Sequence, residues 1–185
     1  VRAPRSPGTE VRRGRRNPRG RSRQGFTLVE LLVVVGIFTA LVLILGASFQ
    51  GWMAKYKVED DTKRLFTALS TARLQAMQRK RAHFVVIDNA AFRTLYTVED
   101  SSPAPDGDGA RTAQDRTVDT VATSFRIVPA LTGGVTEFSF DRNGIPSVSG
   151  TLSLQSTFSP DYDCITIDVT RIKMGRMDGG ACREK

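Results

Sequence analysis

Residues 25–50 read GFTLVELLVVVGIFTALVLILGASFQ, and the architecture of the chain turns on how that stretch is read. From Leu31 to Phe49 there are 19 residues without a charge, and from Phe26 there are 24 with Glu30 as the only ionisable group. In a helix rising about 1.5 Å per residue, 24 residues reach about 36 Å, enough to cross a hydrocarbon layer about 30 Å thick. The stretch follows VRAPRSPGTEVRRGRRNPRGRSRQG, residues 1–25, which holds nine arginines and one acid. That arm accounts for the whole net charge of +8, because residues 26–185 carry 18 bases and 18 acids. The remainder therefore offers no overall electrostatic argument for binding nucleic acid. At 185 residues the chain supports one modest domain with appendages, which excludes a large multidomain enzyme.

The arm is rich in Pro, Gly, Ser and Arg and poor in apolar residues, so it cannot bury enough surface to offset the entropy of ordering, and it is expected to be unfolded. For residues 1–15 the alternative is sequence upstream of the true start. Arginines directly before an apolar span stay cytoplasmic, which places everything after Phe49 across the membrane. Three readings compete for 26–49: a cleaved secretory signal, a plain anchor, and a segment cut before its apolar stretch. A secretory signal has a shorter apolar core and small residues at the cut, whereas here Leu45 stands where a small residue is wanted before Ala47. A plain anchor leaves Glu30 unexplained, since an unpaired charge in an apolar helix costs about 2.5–3.5 kcal/mol or more. Such a carboxylate needs a partner.

The run QGFTLVELLVVVGI resembles the leader junction and N-terminal helix of type IV pilins and type II secretion pseudopilins. The resemblance implies that a prepilin peptidase cuts after Gly25 on the cytoplasmic side and that the new amine of Phe26 is methylated. It also implies that Glu30, fifth in the mature chain, pairs with the N-terminal amine of a neighbouring subunit during filament assembly. A carboxylate and an ammonium, each expensive alone in lipid, neutralise one another when two helices stack with an axial offset. LFTALSTARLQAMQRKRAHFVV, FSFDRNG and DCITIDVTRIKMGR are similar to segments of the GspH/FimT group of minor pseudopilins and minor pilins, so the likeness spans nearly all of residues 25–185.

Residues 52–81 put Val58, Leu65, Leu69, Ala72 and Ala76 on one helical face, predicting an amphipathic continuation of the helix that packs on a β-sheet. Gly46 and Gly51 stand where many pilins have a Pro, so a bend there is open. After Arg81 the pattern changes to short β-type runs: HFVVID, FRTLYTVE, TVATSFRIV, VTEFSF, GTLSLQ and CITIDV. Asn143-Gly144 between the fourth and fifth predicts a hairpin. The expected fold class is α+β and pilin-like, a long N-terminal helix packed on an antiparallel β-sheet domain. Its parts are a cleaved leader (1–25), a transmembrane helix (26–49), the amphipathic half (50–81) and a periplasmic β-rich domain (82–185) with a mobile loop at 100–116.

Cys164 and Cys182 lie in the half placed outside the cytoplasm, and a disulfide is expected there, with two free thiols as the alternative. Two Cys and one His do not complete a four-ligand zinc site, so no metal is proposed. Asp106-Gly107-Asp108-Gly109 begins like a calcium loop, but Ala110 replaces the third oxygen ligand and no Glu closes the pattern. His83, the single His, opens a strand, and no nucleophile elbow, phosphate loop or His-Glu metal motif is present. The reading is therefore non-enzymatic, without catalytic residues or cofactor.

Two assembly roles follow from the resemblance. One is a minor pseudopilin in a short periplasmic filament of a type II secretion system, anchored in the inner membrane, whose partners are other pilin-like subunits and prepilin peptidase. The alternative is a FimT-type minor pilin that binds DNA in natural transformation. For that activity the resemblance points to a basic C-terminal Gly-Arg motif, here Arg171, Lys173 and Arg176, with Met177-Asp178 where a second base is wanted. Affinity for phosphate depends on how many bases converge, and Asp168 and Asp178 flank these three.

Overall fold

The computed structural model describes residues 25–88, 90–103 and 107–185, with the side chains of 44–50 excepted. The helix α1 runs over Leu28–Arg79. The chain divides between residues 43 and 44 into two units, and each is described by itself.

In the first unit the helix begins where Thr27 supplies the N-cap. Its Oγ1 accepts the Glu30 N–H at 3.2 Å, and its carbonyl accepts the Leu31 N–H at 3.2 Å. Thr at the cap with Glu three residues on is the capping-box pattern, and an acid in the first turn also opposes the positive end of the helix dipole.

In the second unit α1 continues to Arg79, and Lys80 turns the chain out with a φ of 56°. Val58, Leu65, Leu69, Ala72 and Ala76 are buried, as their spacing requires, together with Ala68. The three alanines let the helix backbone come close to the strands beneath it. Those strands form two antiparallel sheets. The first has β1 (His83–Ile87), β2 (Thr94–Glu99), β3 (Arg116–Ala122) and β5 (Glu137–Phe140), in the order β3-β2-β1-β5. The second has β4 (Arg126–Leu131), β6 (Gly150–Gln155), β7 (Cys164–Ile167), β8 (Ile172–Asp178) and β9 (Ala181–Glu184), in the order β4-β6-β7-β8-β9. Both contribute to one core with the helix: Val85, Ile87, Leu95 and Phe140 from the first, Ile127, Leu152, Ile165 and Ile167 from the second. Buried side chains of this size each stabilise the fold by about 1.5–3 kcal/mol. The α+β expectation holds, a helix packed on antiparallel sheet, with the sheet in two pieces.

The splitting corrects two expectations. TVATSFRIV is two strands in different sheets, not one. The break falls at Thr123, whose Oγ1 donates to the Phe125 carbonyl at 2.7 Å, and at Ser124, whose N–H donates to buried Asp61 on α1 at 2.7 Å. The Asn143-Gly144 turn forms, with the Asp141 N–H donating to the Ile145 carbonyl at 3.0 Å, but it closes a single bridge between Phe140 and Pro146. β5 pairs with β1, and β6 pairs with β4 and β7, so no hairpin joins β5 to β6. The hairpin that does form at a two-residue turn is β8–β9, at Gly179 (φ 59°) and Gly180 (φ 86°). Both residues need positive φ there, which is the backbone of a tight turn matched to strand twist.

Where β1 leaves the helix, Glu99 is buried and stands opposite His83 in the ladder. Arg79 hydrogen-bonds its carboxylate, while Arg81 and Arg116 approach at 3.7 and 3.6 Å. Three guanidiniums around one carboxylate supply the compensation that a buried charge requires. His83 is fully buried, its Nδ1 3.4 Å from the Arg81 carbonyl oxygen and its Nε2 without a hydrogen-bond partner among the described residues. Burial holds its pKa below the ordinary 6.5, against smaller upward pulls from the Arg81 carbonyl and Glu99. The folded state thus binds this proton less readily than the unfolded one, so the stability associated with neutral His83 is complete above pH 6.5 and is lost as pH falls toward the lowered folded value. Urea unfolding of the full chain in detergent is expected to show this loss from pH 7 to 5, with a slope of at most about 1.4 kcal/mol per pH unit from the one proton. His83→Gln is expected to flatten that part of the profile.

The loop at 100–116, expected to be mobile, is tied in its described part by two carboxylates. Asp115 accepts the N–H groups of Ser101 and Ser102, each at 3.0 Å, and that of Thr112 at 2.7 Å. Asp100 accepts those of Asp108 and Gly109 at 3.2 and 2.8 Å. Asp106 of the calcium-like run lies outside the described residues, and no cluster of metal-ligating side chains occurs among those described.

Candidate processing and assembly site

Gly25 and Phe26 precede the first helical turn, and the Phe26 side chain is 79% exposed. A Cβ built at Gly25 meets nothing within 4 Å among the described residues, which make no demand for glycine at this position. Four residues later Glu30 is exposed on the first turn. Beyond it the large apolar residues from Leu31 to Leu43 lie open all round the helix, Val34, the most covered of those, still being 42% exposed. A helix that is apolar on every side is a membrane or core element, not a half-buried surface helix. Among the described residues no helix is long and apolar enough to cross a membrane. The span expected at 26–49 runs into 44–50, whose side chains lie outside the described residues, and the leader 1–24 lies outside them altogether.

At the opposite end of the sequence Cys164 on β7 and Cys182 on β9 form a disulfide, as expected. It crosses the intervening strand β8 at Gly175, which pairs with Cys164 on one side and Glu184 on the other. A Cβ at residue 175 would stand 2.3 Å from the Arg183 carbonyl oxygen and 3.0 Å from the Cys182 sulfur, so the bridge fits because that position has no side chain.

Arg171, Lys173 and Arg176 are not brought together. Arg171 precedes β8, and Lys173 and Arg176 are an odd number of positions apart, so they point to opposite faces of the strand. Lys173 hydrogen-bonds Glu184, and nearby Arg183 pairs with Asp178 at 2.8 Å. Sequence reading passed over two features that local signals carry: the Thr27–Glu30 capping box, visible as Thr-x-x-Glu before an apolar run, and the Gly179-Gly180 turn, visible as a Gly pair between β-type runs. The Glu99 cluster had no such signal, because Arg79 and Arg81 at the end of α1, Glu99 on β2 and Arg116 on β3 are far apart in the sequence.

A helix with an N-terminal apolar half open on all sides, its other half packed on antiparallel sheets, defines the protein as pilin-like. Residues 20–46 match the prokaryotic N-terminal methylation motif. Residues 61–171 match the type II transport protein GspH family, and the chain belongs to that family. Among solved structures it is similar to the type IV minor pilin FimU of Pseudomonas aeruginosa in two crystal forms. One form has 13% identity over 71% of this chain and 96% of that chain with a TM-score of 0.46. The other has 14% identity over 68% and 96% with a TM-score of 0.43. No curated protein matches the chain.

Proposed function

We propose that this chain is a minor pseudopilin of a type II secretion system, a structural subunit of the periplasmic filament that helps export folded proteins across the outer membrane. The observation that carries the reading is a lone carboxylate, Glu30, at the head of an apolar helix, five residues after a Gly25–Phe26 junction that lies open before the first turn. Residues 26–49 anchor the chain in the inner membrane with 82–185 in the periplasm. Prepilin peptidase removes 1–25, Phe26 is methylated, and Glu30 finds its counter-charge on a neighbouring subunit.

The test is the intact mass and N-terminal sequence of the protein from its own membranes, with and without prepilin peptidase. A methylated Phe26 terminus that requires the peptidase supports the reading, and retention of the arginine arm refutes it. Deletion of the gene then separates the systems, because exported enzymes accumulate in the periplasm if the filament serves secretion, whereas surface pili disappear if it serves a pilus. Gly25→Val is expected to block processing while leaving the thermal unfolding of the β-domain unchanged, since the fold leaves that position free. Short duplex DNA is expected to show no shift with the purified chain once Arg arm and leader are removed, even at low salt. Lys173 is engaged by Glu184, and the three candidate bases do not converge.

A further inference from the structure

The Asn143-Gly144 turn has no task in filament assembly, yet it carries a reactive pair. A backbone nitrogen can attack the side-chain amide of a preceding asparagine and close a five-membered succinimide, and a glycine, having no side chain, leaves that attack unhindered. Of the three asparagines in the chain, Asn17 precedes Pro, which has no N–H, and Asn89 precedes Ala. Asn143 alone is followed by Gly.

The fold holds this pair back. Asn143 is exposed and Gly144 is buried. The Gly144 N–H, on the nitrogen that would attack, donates to the Asp141 carbonyl at 2.8 Å. Asp141 Oδ1 accepts the N–H groups of Asn143 at 2.8 Å and Ile145 at 2.7 Å. Gly144 has a φ of 73° and is seated on α1, where a Cβ would stand 2.9 Å from Met77 Cγ and 3.2 Å from Arg73 Cγ. A nitrogen whose proton is engaged and whose backbone is pinned does not reach the geometry of attack.

The turn also keeps a sheet edge covered. β5 ends its sheet and pairs with β1 on one side. On the other side the Ser147 N–H donates to the Ser139 carbonyl at 2.8 Å, and the Ser139 N–H donates to Ser147 Oγ at 3.0 Å, beside the Phe140–Pro146 bridge. Residues 145–147 thus occupy backbone groups of an edge that would otherwise be open to pairing with another chain.

We propose that Asn143 is a deamidation site gated by the Asp141 carboxylate, and that its conversion uncovers the β5 edge. When the turn lifts from α1, the Gly144 nitrogen gives its proton to solvent and attacks Asn143 Cγ. The new Cγ–N bond forms as the Cγ–Nδ2 bond breaks, and the amide nitrogen, protonated by water, leaves as ammonia. Water then opens the succinimide. Addition at Cγ yields aspartate, and addition at the backbone carbonyl carbon yields isoaspartate, whose main chain runs through Cγ. One water is consumed and one ammonia released, with no change of oxidation state. The isoaspartyl chain is one carbon longer, so Gly144 no longer keeps both its Asp141 bond and its seat on Met77, and 145–147 detach from β5.

The full chain in detergent is incubated at mildly alkaline pH, folded and in urea, and peptide mass mapping scores acid in place of amide at Asn143. Folded parent is expected to convert at least about tenfold more slowly than the chain in urea, and Asp141→Ala to raise the folded rate about tenfold, as the loss of one hydrogen bond to a charged group corresponds to. Asp141→Asn keeps a side-chain oxygen for both N–H groups and is expected to stay near the parent. Amide exchange at Ser139 and Ser147 is expected to quicken as conversion proceeds, and to stay unchanged in Asn143→Gln incubated alike. The proposal is overturned if folded parent converts as fast as the chain in urea, if Asp141→Ala leaves the folded rate unchanged, or if exchange at Ser139 is unaltered after conversion. Should Asp141→Ala fail to fold, the comparison of folded and urea-treated parent, with the exchange at Ser139, decides in its place.

Discussion

Replacement of Glu30 by alanine is expected to lower incorporation of the subunit into filaments about 100-fold, while insertion and leader removal continue. The magnitude follows from the about 2.5–3.5 kcal/mol that an unpaired charge costs within an apolar helix, since the variant leaves a neighbour's terminal amine without its counter-ion. The structure also offers Glu30 a purely local role, because it occupies the third helical position after the Thr27 cap. Glu30→Gln separates the two. Glutamine serves a capping box as well as glutamate does, and the Glu30 N–H to Thr27 Oγ1 bond is made by backbone, so a capping role predicts a variant that assembles normally. Cross-linking of membrane-inserted subunits in cells, scored against total processed protein, reads the outcome. Normal assembly of Glu30→Gln would refute the charge-pairing mechanism.

The second large effect belongs to the disulfide. Cys164→Ser with Cys182→Ser is expected to reduce stability by about 3 kcal/mol, as the chain-entropy model gives for a loop of this size. For a domain of this size that lowers the Tm by about 10 °C. β9 is a four-residue edge strand with three exposed residues, and Cys182 is its covalent tie to the buried Cys164. Loss should therefore begin at β9, seen as fast amide exchange at 181–184 before the remainder of the sheet. Gly175→Val tests the same joint from the other side: its side chain would meet the Arg183 backbone, and β8–β9 pairing is expected to fail even with both cysteines present. A Tm equal to the parent's in either variant would contradict this account.

The features legible in the sequence were those written in consecutive residues. The helical face Val58–Ala76 was readable because period 3.6 repeats over five turns, and each strand except β8 and β9 was marked by a short apolar or alternating run. β8 was obscured because IKMGRMD mixes charges with apolar residues at an edge of the core. The TVATSFRIV run looked like one strand because nothing local in Thr123 or Ser124 announces a change of sheet; the break is made by Asp61, more than sixty residues earlier. Asn143-Gly144 makes the turn that its residues predict but no hairpin, since a turn sets local direction while pairing depends on which strands lie alongside.

Composition and order alone determined the apolar segment, the basic arm before it, the amphipathic continuation, the β-rich remainder and the family signature around Gly25 and Glu30, because each is a property of neighbours along the chain. Tertiary structure decided that the sheet divides in two, that Glu99 and His83 are buried beneath three arginines, and that Lys173 and Arg176 face apart. It also decided that Gly175 makes room for the disulfide. Those outcomes depend on register and on which distant segments meet, and a one-residue change of register in a strand reverses every side chain upon it.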